Sequence, residues 1–505
     1  MKKDKIKTPD KLSLVGEIFS GTIFTDLNTA ALLGKFDHTD HLLAFNHKMN
    51  KTAASPTPLS ANVFSEIPEN GWLINQPGTY TMTSNCTWSP TSAGSAITIV
   101  AQNVQLNLGG NVLSVQLPVE TTTAEYNGIT VKPGAPDSAT SVTIYNGTIS
   151  GANFYGIQAN MIEGLILSQL NIDQIEYTNT QEPYITPAGI FLSVCANFNI
   201  NSCVISGINV NTASCAGIQT IMCWEGVVSG CKVSGLQNQD GAAQGFSYIL
   251  SWDIGTFNCS CSDFTTNNQG ITQTSGHTSI GFIPMFSKNL IFGYCSSNNI
   301  TGCCDDAHGM SLFLVKNVLV NEFTANGVYD GPPPYNTGAK ATGLEVYGNF
   351  ISINNSQVLN IQATIPQDLQ AAGFSAWGDT IQFTGCTATN VQVLNTAGQP
   401  DITFGYGTGY GWAPDPRKAF NHTVASNVQY NNCISTNCQV GFDTWNHVNS
   451  IWKDFTADDC GQFNLNLPLG ATRSLSMNKC SEKPSDEPSP VTITNQATDN
   501  TVPVS

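Results

Sequence analysis

The sequence predicts an all-β solenoid, and three observations carry that expectation. The first is a recurring x-Gly-apolar unit: NGITV (Gly128), YGIQA (Gly156), AGIFL (Gly189), AGIQT (Gly217), QGFSY (Gly245), IGFIP (Gly281), HGMSL (Gly309), TGLEV (Gly343), AGFSA (Gly373) and VGFDT (Gly441). Successive glycines up to Gly373 lie 28, 33, 28, 28, 36, 28, 34 and 30 residues apart, followed by 68 to Gly441. The second is N-apolar-x-apolar-x-x-Cys, as in NFNINSC, NLIFGYC and NVQYNNC, which begins about eight residues after each glycine. The third is the period of two within both units, with no helical punctuation between them. Two independent markers that keep one long period mean stacked copies of one supersecondary unit.

Each coil of roughly 28 residues then holds two or three short strands. Positions +1, +3 and +5 after the glycine are mostly apolar or small and are expected to face inward, with +2 and +4 facing outward. The last position of the second unit is filled by Cys203, Cys231, Cys259, Cys295, Phe323, Ser356, Cys386, Cys433, Phe455 and Cys480. These residues should stack inside the solenoid about 4.8 Å apart, one per coil. Free, buried thiols acting as small apolar residues are expected there. On these units, and on the opening segment NVQLNLGGNVLSV (103–115), the chain resembles the single-stranded right-handed parallel β-helix of the pectin-lyase-like superfamily, over about residues 75–480. That superfamily holds lyases, hydrolases, epimerases, tailspikes and adhesins, so the resemblance implies a fold and leaves the function to the site.

Residues 1–60 do not follow the repeat and are expected to form an N-terminal cap or arm with a linker. Within them, 25–48 has near-helical apolar spacing (Leu32, Leu33, Phe36, Leu42, Leu43, Phe45), which suits a helix covering the open end of the solenoid. His38, His41 and His47 with Asp37 and Asp40 match no ligand spacing, so no metal is assigned. The solenoid proper is placed at 61–480, and 481–505, rich in Pro, Ser and acids, reads as a flexible tail. The longest interruption lies between Cys386 and Cys433 and contains TFGYGTGYGWAPDPRKAFNH (403–422). A second, YDGPPPYNTGAKATG (329–343), precedes Gly343. Long loops on a rigid scaffold are where binding function tends to sit.

Charge narrows the partners. With 19 Lys+Arg against 36 Asp+Glu, the net charge of −17 makes nucleic acid an unexpected partner. A polysaccharide or other glycan, or further copies of the chain in a homo-oligomer such as a trimer, fit better. No 18-residue apolar window is present, so no membrane span is expected. The opening MKKDKIKTPDKLSLVGEIFSG lacks the apolar run of a standard secretory signal. Synthesis in a reducing cytoplasm is therefore expected, with assembly into a particle or export by a non-classical route.

Candidate chemistry gathers on the outward positions. At +4 the column reads Ile221, Ile249, Met285, Phe313, Tyr347, Trp377 and Trp445; at +2 it reads Gln219, Ser247, Ile283, Ser311, Glu345, Ser375 and Asp443. Tyr347, Trp377 and Trp445, with Trp412 of the long interruption, are candidate sugar-stacking residues, because aromatic faces pack on the apolar faces of sugar rings. Glu345 and Asp443 are separated by at least two coils, roughly 10–14 Å. That is at or beyond the limit of about 9.5 Å for an inverting pair of carboxylates. GCCDDAHGMSLFL (302–314) adds Asp305, Asp306 and His308, and the repeat sets Lys340 beside Asp306 on the next coil. Asp, His and Lys together suit proton transfer or glycosidic cleavage, and Arg417 is a further candidate. DDAHG is similar in ingredients to the Asp pair and Gly-His-Gly of polygalacturonases. Its spacing is compressed, Ala307 replaces a glycine, and the family's Asn-Thr-Asp and Arg-Ile-Lys signatures are absent. The sequence thus points to a carbohydrate-binding or carbohydrate-active β-helix of hydrolase, lyase or epimerase type. The alternative is a non-catalytic structural or adhesive fibre, virion or cell-surface component that uses the β-helix face for oligomerisation. In it the apolar outward residues Ile249, Ile283, Met285 and Phe313 pack under a cap or another subunit. No cofactor is expected, with a Ca²⁺ requirement left open.

Overall fold

The computed structural model describes residues 60–464 except 119–123, 135–140, 179–185, 212–213, 240, 267–277, 304–305, 332–339, 365–369, 395–406, 411–424, 444–446, 449–450, 454–455 and 459–461. The expected N-terminal cap helix, nearly all of its linker and the C-terminal tail lie outside the described residues. All regular structure among the described residues is β, and every strand pair is parallel. No helix there is long and apolar enough to cross a membrane.

The chain is a parallel β-helix with three faces per coil. In the Gly245 coil, Ala243–Ile249 forms the first face, Trp252–Phe257 the second and Ser260–Thr266 the third. Each pairs with its counterpart one coil on, Phe246 with Phe282, Ile254 with Leu290 and Phe264 with Ile300. Stacking puts identical positions above one another, so the core consists of ladders. Phe246 and Phe282 stack at 4.8 Å with planes 4° apart, and Phe383 and Tyr430 at 5.0 Å and 3°. Chain is added at two corners: between the first and second faces, from Val131 to Val142 and from Tyr410 to Ala425, and more often between the third face and the next first face. In the 28-residue coil that follows Gly217, Gln237–Asn238 leads directly to Ala243. In the 36-residue coil that follows Gly245, Thr266 and Ser279 enclose the added chain.

The corners explain the Asn and Gly content. In one coil Phe286, Asn289, Tyr294 and Asn299 all take left-handed backbone, with φ between 52° and 56°, and Leu314, Asn317, Glu322 and Gly327 repeat this one coil later. Asn tolerates that region better than most residues. It also links corners: Asn317 Nδ2 donates to Asn289 Oδ1 at 3.0 Å and Asn289 Nδ2 to Asp253 Oδ1 at 2.9 Å. The first of these corners corrects the inward assignment of +5. Met161, Val194, Met222, Leu250, Phe286 and Leu314 are all at +5 and all turn the chain. The bend shifts the alternation, and +6 faces inward instead: Cys195, Cys223, Ser251, Ser287 and Val315 are buried.

This second interior column shows what Cys and Ser do at corners. The backbone N–H of Cys195 donates to Cys223 Sγ (3.3 Å), that of Cys223 to Ser251 Oγ (3.2 Å) and that of Ser251 to Ser287 Oγ (3.0 Å). Each side chain thus satisfies a donor of the neighbouring coil that the bend removes from the ladder. The column at the second unit's last position is also buried from Cys203 through Cys433, and its cysteines Cys203, Cys231, Cys259, Cys295, Cys386 and Cys433 are free thiols. Phe455 and Cys480 lie outside the described residues. Cys223→Ser, which keeps an acceptor, should be more stable than Cys223→Ala, which orphans the Cys195 N–H. A difference of about 1–2 kcal/mol is expected, readable by urea unfolding of both variants. Equal stabilities would sink this account of the column.

Register also finds a coil that the repeat count missed. Thr408 pairs with Ala372 and with Val440, and Tyr410 with Phe374 and with Phe442. Gly409 therefore stands in the glycine column, 36 residues after Gly373 and 32 before Gly441. What reads as one long interruption holds a first-face strand, Gly407–Tyr410. The x-Gly-apolar signal was present as TGY, hidden by the glycines around it.

Candidate functional site

The outer side of the first face carries the candidate residues. Positions −1, +2 and +4 relative to the glycine point away from the core, while Gly and +1 both face in. Burial divides this outer surface into two parts. Over the earlier coils it is closed: Gln219, Ser247, Ile249, Ile283 and Met285 are at most 7% exposed, although they face away from the main core. There Ile221, Ile249, Ile280, Ile283 and Met285 form a separate apolar cluster, joined by Met222, Leu250 and Phe286 from the corner and by Phe191 and Phe313. The outward +4 column is thus covered over this stretch, where its residues are apolar. Over the Gly309, Gly343 and Gly373 coils the surface opens partly, and the polar residues gather there.

Strands Asp306–Asn321, Lys340–Asn354 and Gln370–Thr384 build the open part. Their register pairs Asp306 with Lys340, His308 with Thr342, and Ser311 with Glu345, and continues from Glu345 to Ser375 and from Tyr347 to Trp377. The alternation then brings Asp306, His308, Lys340 and Glu345 onto one side. Lys340 Nζ is paired with Glu345 Oε1, and Ser311 Oγ donates to Glu345 Oε2 at 3.0 Å. His308 stands between two carboxylates, with Nε2 3.6 Å from Asp306 Oδ2 and Nδ1 3.7 Å from Glu345 Oε2. Burial by itself would push the Glu345 carboxyl up. Lys340 and His308 beside it, with the hydrogen bonds from Lys340 and Ser311, more than reverse that and hold it at about 2. Glu345 is therefore a fixed anion near neutrality, whereas a general acid needs a raised carboxyl.

The aromatic column borders this cluster. Phe313, Tyr347 and Trp377 follow one another edge to face, with centroids 5.5 and 6.2 Å apart. Tyr347 and Trp377 are half-buried, and burial raises the Tyr347 hydroxyl above its usual value. Phe286 continues the ladder at 5.9 Å from Phe313. On the same outer side, Thr342 Oγ1, Ser375 Oγ and His308 Nδ1 are buried and have no hydrogen-bond partner among the described residues. Ser311, Thr342 and Ser375 were not singled out as site residues from the sequence. Ser311 and Ser375 were marked only by their place on the outward +2 column, and Thr342, at −1, stood on neither outward column.

Asp443 does not join the cluster. It lies in Val440–Asp443, the third strand along from Glu345 by way of Gln370–Thr384 and Gly407–Tyr410. Three strand spacings are about 14 Å, too far for a carboxylate couple. Asp305, Arg417, Trp412 and Trp445 lie outside the described residues, as does the side chain of Asp443. Among the described residues, no group of three or more His, Cys, Asp or Glu side chains is arranged to hold a metal ion.

Neither a family model nor a curated protein matches the sequence. Among solved structures, the chain is similar to the tailspike protein of E. coli bacteriophage HK620, at 10% identity and a TM-score of 0.46, with 79% of this chain and 71% of that one covered. It is also similar to the catalytic domain of a GH87 alpha-1,3-glucanase in complex with nigerose, at 10% identity and a TM-score of 0.38, with 84% of this chain and 69% of that one covered.

Proposed function

We propose that this protein is a carbohydrate-binding parallel β-helix whose ligand lies along the outer first face between Asp306 and Trp377. The observation that carries this reading is the half-buried Tyr347–Trp377 pair set against a compact polar cluster. Rings that offer apolar surface beside hydrogen-bonding groups match the two-sided chemistry of a sugar. Binding is favoured over cleavage because Glu345 is locked in an ion pair and Asp443 is remote. Asp306 and His308 remain the residues that would serve any acid–base step, and Asp306→Asn or His308→Ala should abolish chain shortening if it occurs.

The test is titration of the full chain with a panel of oligosaccharides, read by calorimetry or tryptophan fluorescence. Trp377→Ala and Tyr347→Ala should each weaken binding by about tenfold, the equivalent of roughly 1.4 kcal/mol of stacking. Their thermal midpoints should move little, since both rings are partly exposed. Unchanged affinity in both variants would remove the site from this face.

A second reading is a non-catalytic structural component whose copies meet through the same ladder. The closed apolar stretch lends it no support, because Ile221 through Met285 are already shielded within one chain. A trimer in light scattering that dissociates in Trp377→Ser would favour this reading over glycan binding.

A further inference from the structure

We infer that two copies of this chain dock through their second faces, with the solenoids antiparallel and both first faces left free. The outward columns of the second face run through ten coils, from Thr143 and Tyr145 to Gln429 and Asn431. None of these twenty positions carries a charge, on a chain whose net charge is −17. Protein interfaces are depleted of charge at their centre and hold it at the rim. The middle of the face is also apolar and open to solvent. Val227 is 40% exposed and Ile291 42%, with Leu319 next in the column. The ring of Phe257 lies low across Gly255 and Gly293, where a Cβ would meet it at 2.6 and 3.0 Å. At the edge of this patch Tyr294 is 60% exposed on left-handed backbone, with φ 56°. A bulky residue is unfavourable in that conformation, and so much exposure gives little burial within its own chain to offset it.

The order of residues along the face selects a second copy as the occupant. A two-fold axis parallel to the strands, between the Gly245 and Gly281 coils, reverses the coil order and lays each column on itself. Ile291 then faces Gly255 and the Phe257 ring that covers it, and Val227 faces Leu319. Residue i on j with j on i is what a two-fold contact requires. The corner shared with the first face supplies a charged rim, reading Glu225, Asp253, Lys288 and Lys316 in coil order. Reversal sets Asp253 against Lys288 and Glu225 against Lys316. A parallel arrangement would bring this corner to the other edge of the partner and lose the match. Ten strands about 4.8 Å apart, each four or five residues wide, cover roughly 700 Å² per copy, near the about 800 Å² of a standard interface.

Sedimentation of the full chain is the test. Interfaces of this area hold at micromolar concentration or tighter, so the parent chain should be a dimer at about 50 μM. Ile291→Asp buries a charge in each half of the contact and should raise the dissociation constant about a hundredfold or more. Its monomer should keep the circular dichroism of the parent, because Ile291 is exposed in a single chain. Asp253→Lys turns two attractions into two repulsions and should weaken the dimer about tenfold. Asp253→Lys/Lys288→Asp should restore it, a recovery that the antiparallel pairing alone provides. A monomeric parent chain overturns the proposal, and so does a dimer that Ile291→Asp leaves intact. A dimer that dissociates in Trp377→Ser but not in Ile291→Asp moves the contact to the first face. A monomeric parent that loses binding of a glucan hexasaccharide in Ile291→Asp gives the second face to sugar instead.

Discussion

Gly309→Ala should destabilise the protein by about 1–3 kcal/mol, towards the upper end of the range for overpacking. A methyl group there would sit 2.5 Å from the Gly343 carbonyl oxygen of the next coil and 2.6 Å from the Ala325 Cβ across the core. Neither atom can rotate away, so relief requires the coil itself to move. The cause is local geometry: Gly309 and Met310 both face inward, and the glycine column packs directly on the third face, with Gly281 against Ser297 and Gly343 against Val358. Thermal unfolding of Gly309→Ala, alone and with Ala325→Gly, gives the check. The second substitution should restore part of the loss, because it removes one of the two clashes. A midpoint equal to that of the parent chain would show that the glycine column is not closely packed.

Lys340→Met should cost about 2–4 kcal/mol near neutral pH, because it strands Glu345 in a mostly buried position without its cation. The Glu345 side chain is only 17% exposed, so water screens little of this. The double variant Lys340→Met/Glu345→Gln should recover much of the loss, since an amide can still accept from Ser311. The same network sets an acid dependence. The Glu345 carboxyl is lowered from 4.5 to about 2 in the folded protein. The stability it contributes is therefore fully present above about pH 4.5 and is lost as pH falls towards 2, an amount of about 3 kcal/mol. Glu345→Gln should flatten the stability curve within that window. A curve that keeps the slope of the parent would place the acid sensitivity elsewhere.

Much of the architecture was legible in the sequence because a solenoid repeats its constraints. One glycine, one small interior residue and one alternation recur with every coil, so chance matches are averaged away. The parallel coils, the neighbouring positions of Asp306 and Lys340, and the interior cysteine column all follow from that period. The errors have physical reasons. Position +5 was read as inward because alternation was carried through a residue that is apolar yet left-handed, as Met222, Leu250 and Phe286 are. The Gly409 coil was missed because glycine-rich sequence on both sides hides a single marker.

The candidate site was less legible. Sequence placed Asp306, His308, Lys340 and Glu345 on adjacent coils, but spacing alone does not say which charges engage. Register and side-chain reach pair Lys340 with Glu345, and that pairing turns a plausible acid into a fixed anion. Apolar residues on the outward column point to a covered surface but not to where it opens: Ile249 and Trp377 occupy the same repeat position and differ in exposure. The sequence by itself determined the parallel coil, its period and the ladders of its core, because backbone pairing one coil apart makes neighbours of equivalent positions. Only the tertiary structure decided which part of the outer face is closed, which polar atoms lack partners and which carboxylate is held. Those properties depend on side chains from different coils meeting at distances that a repeat does not encode.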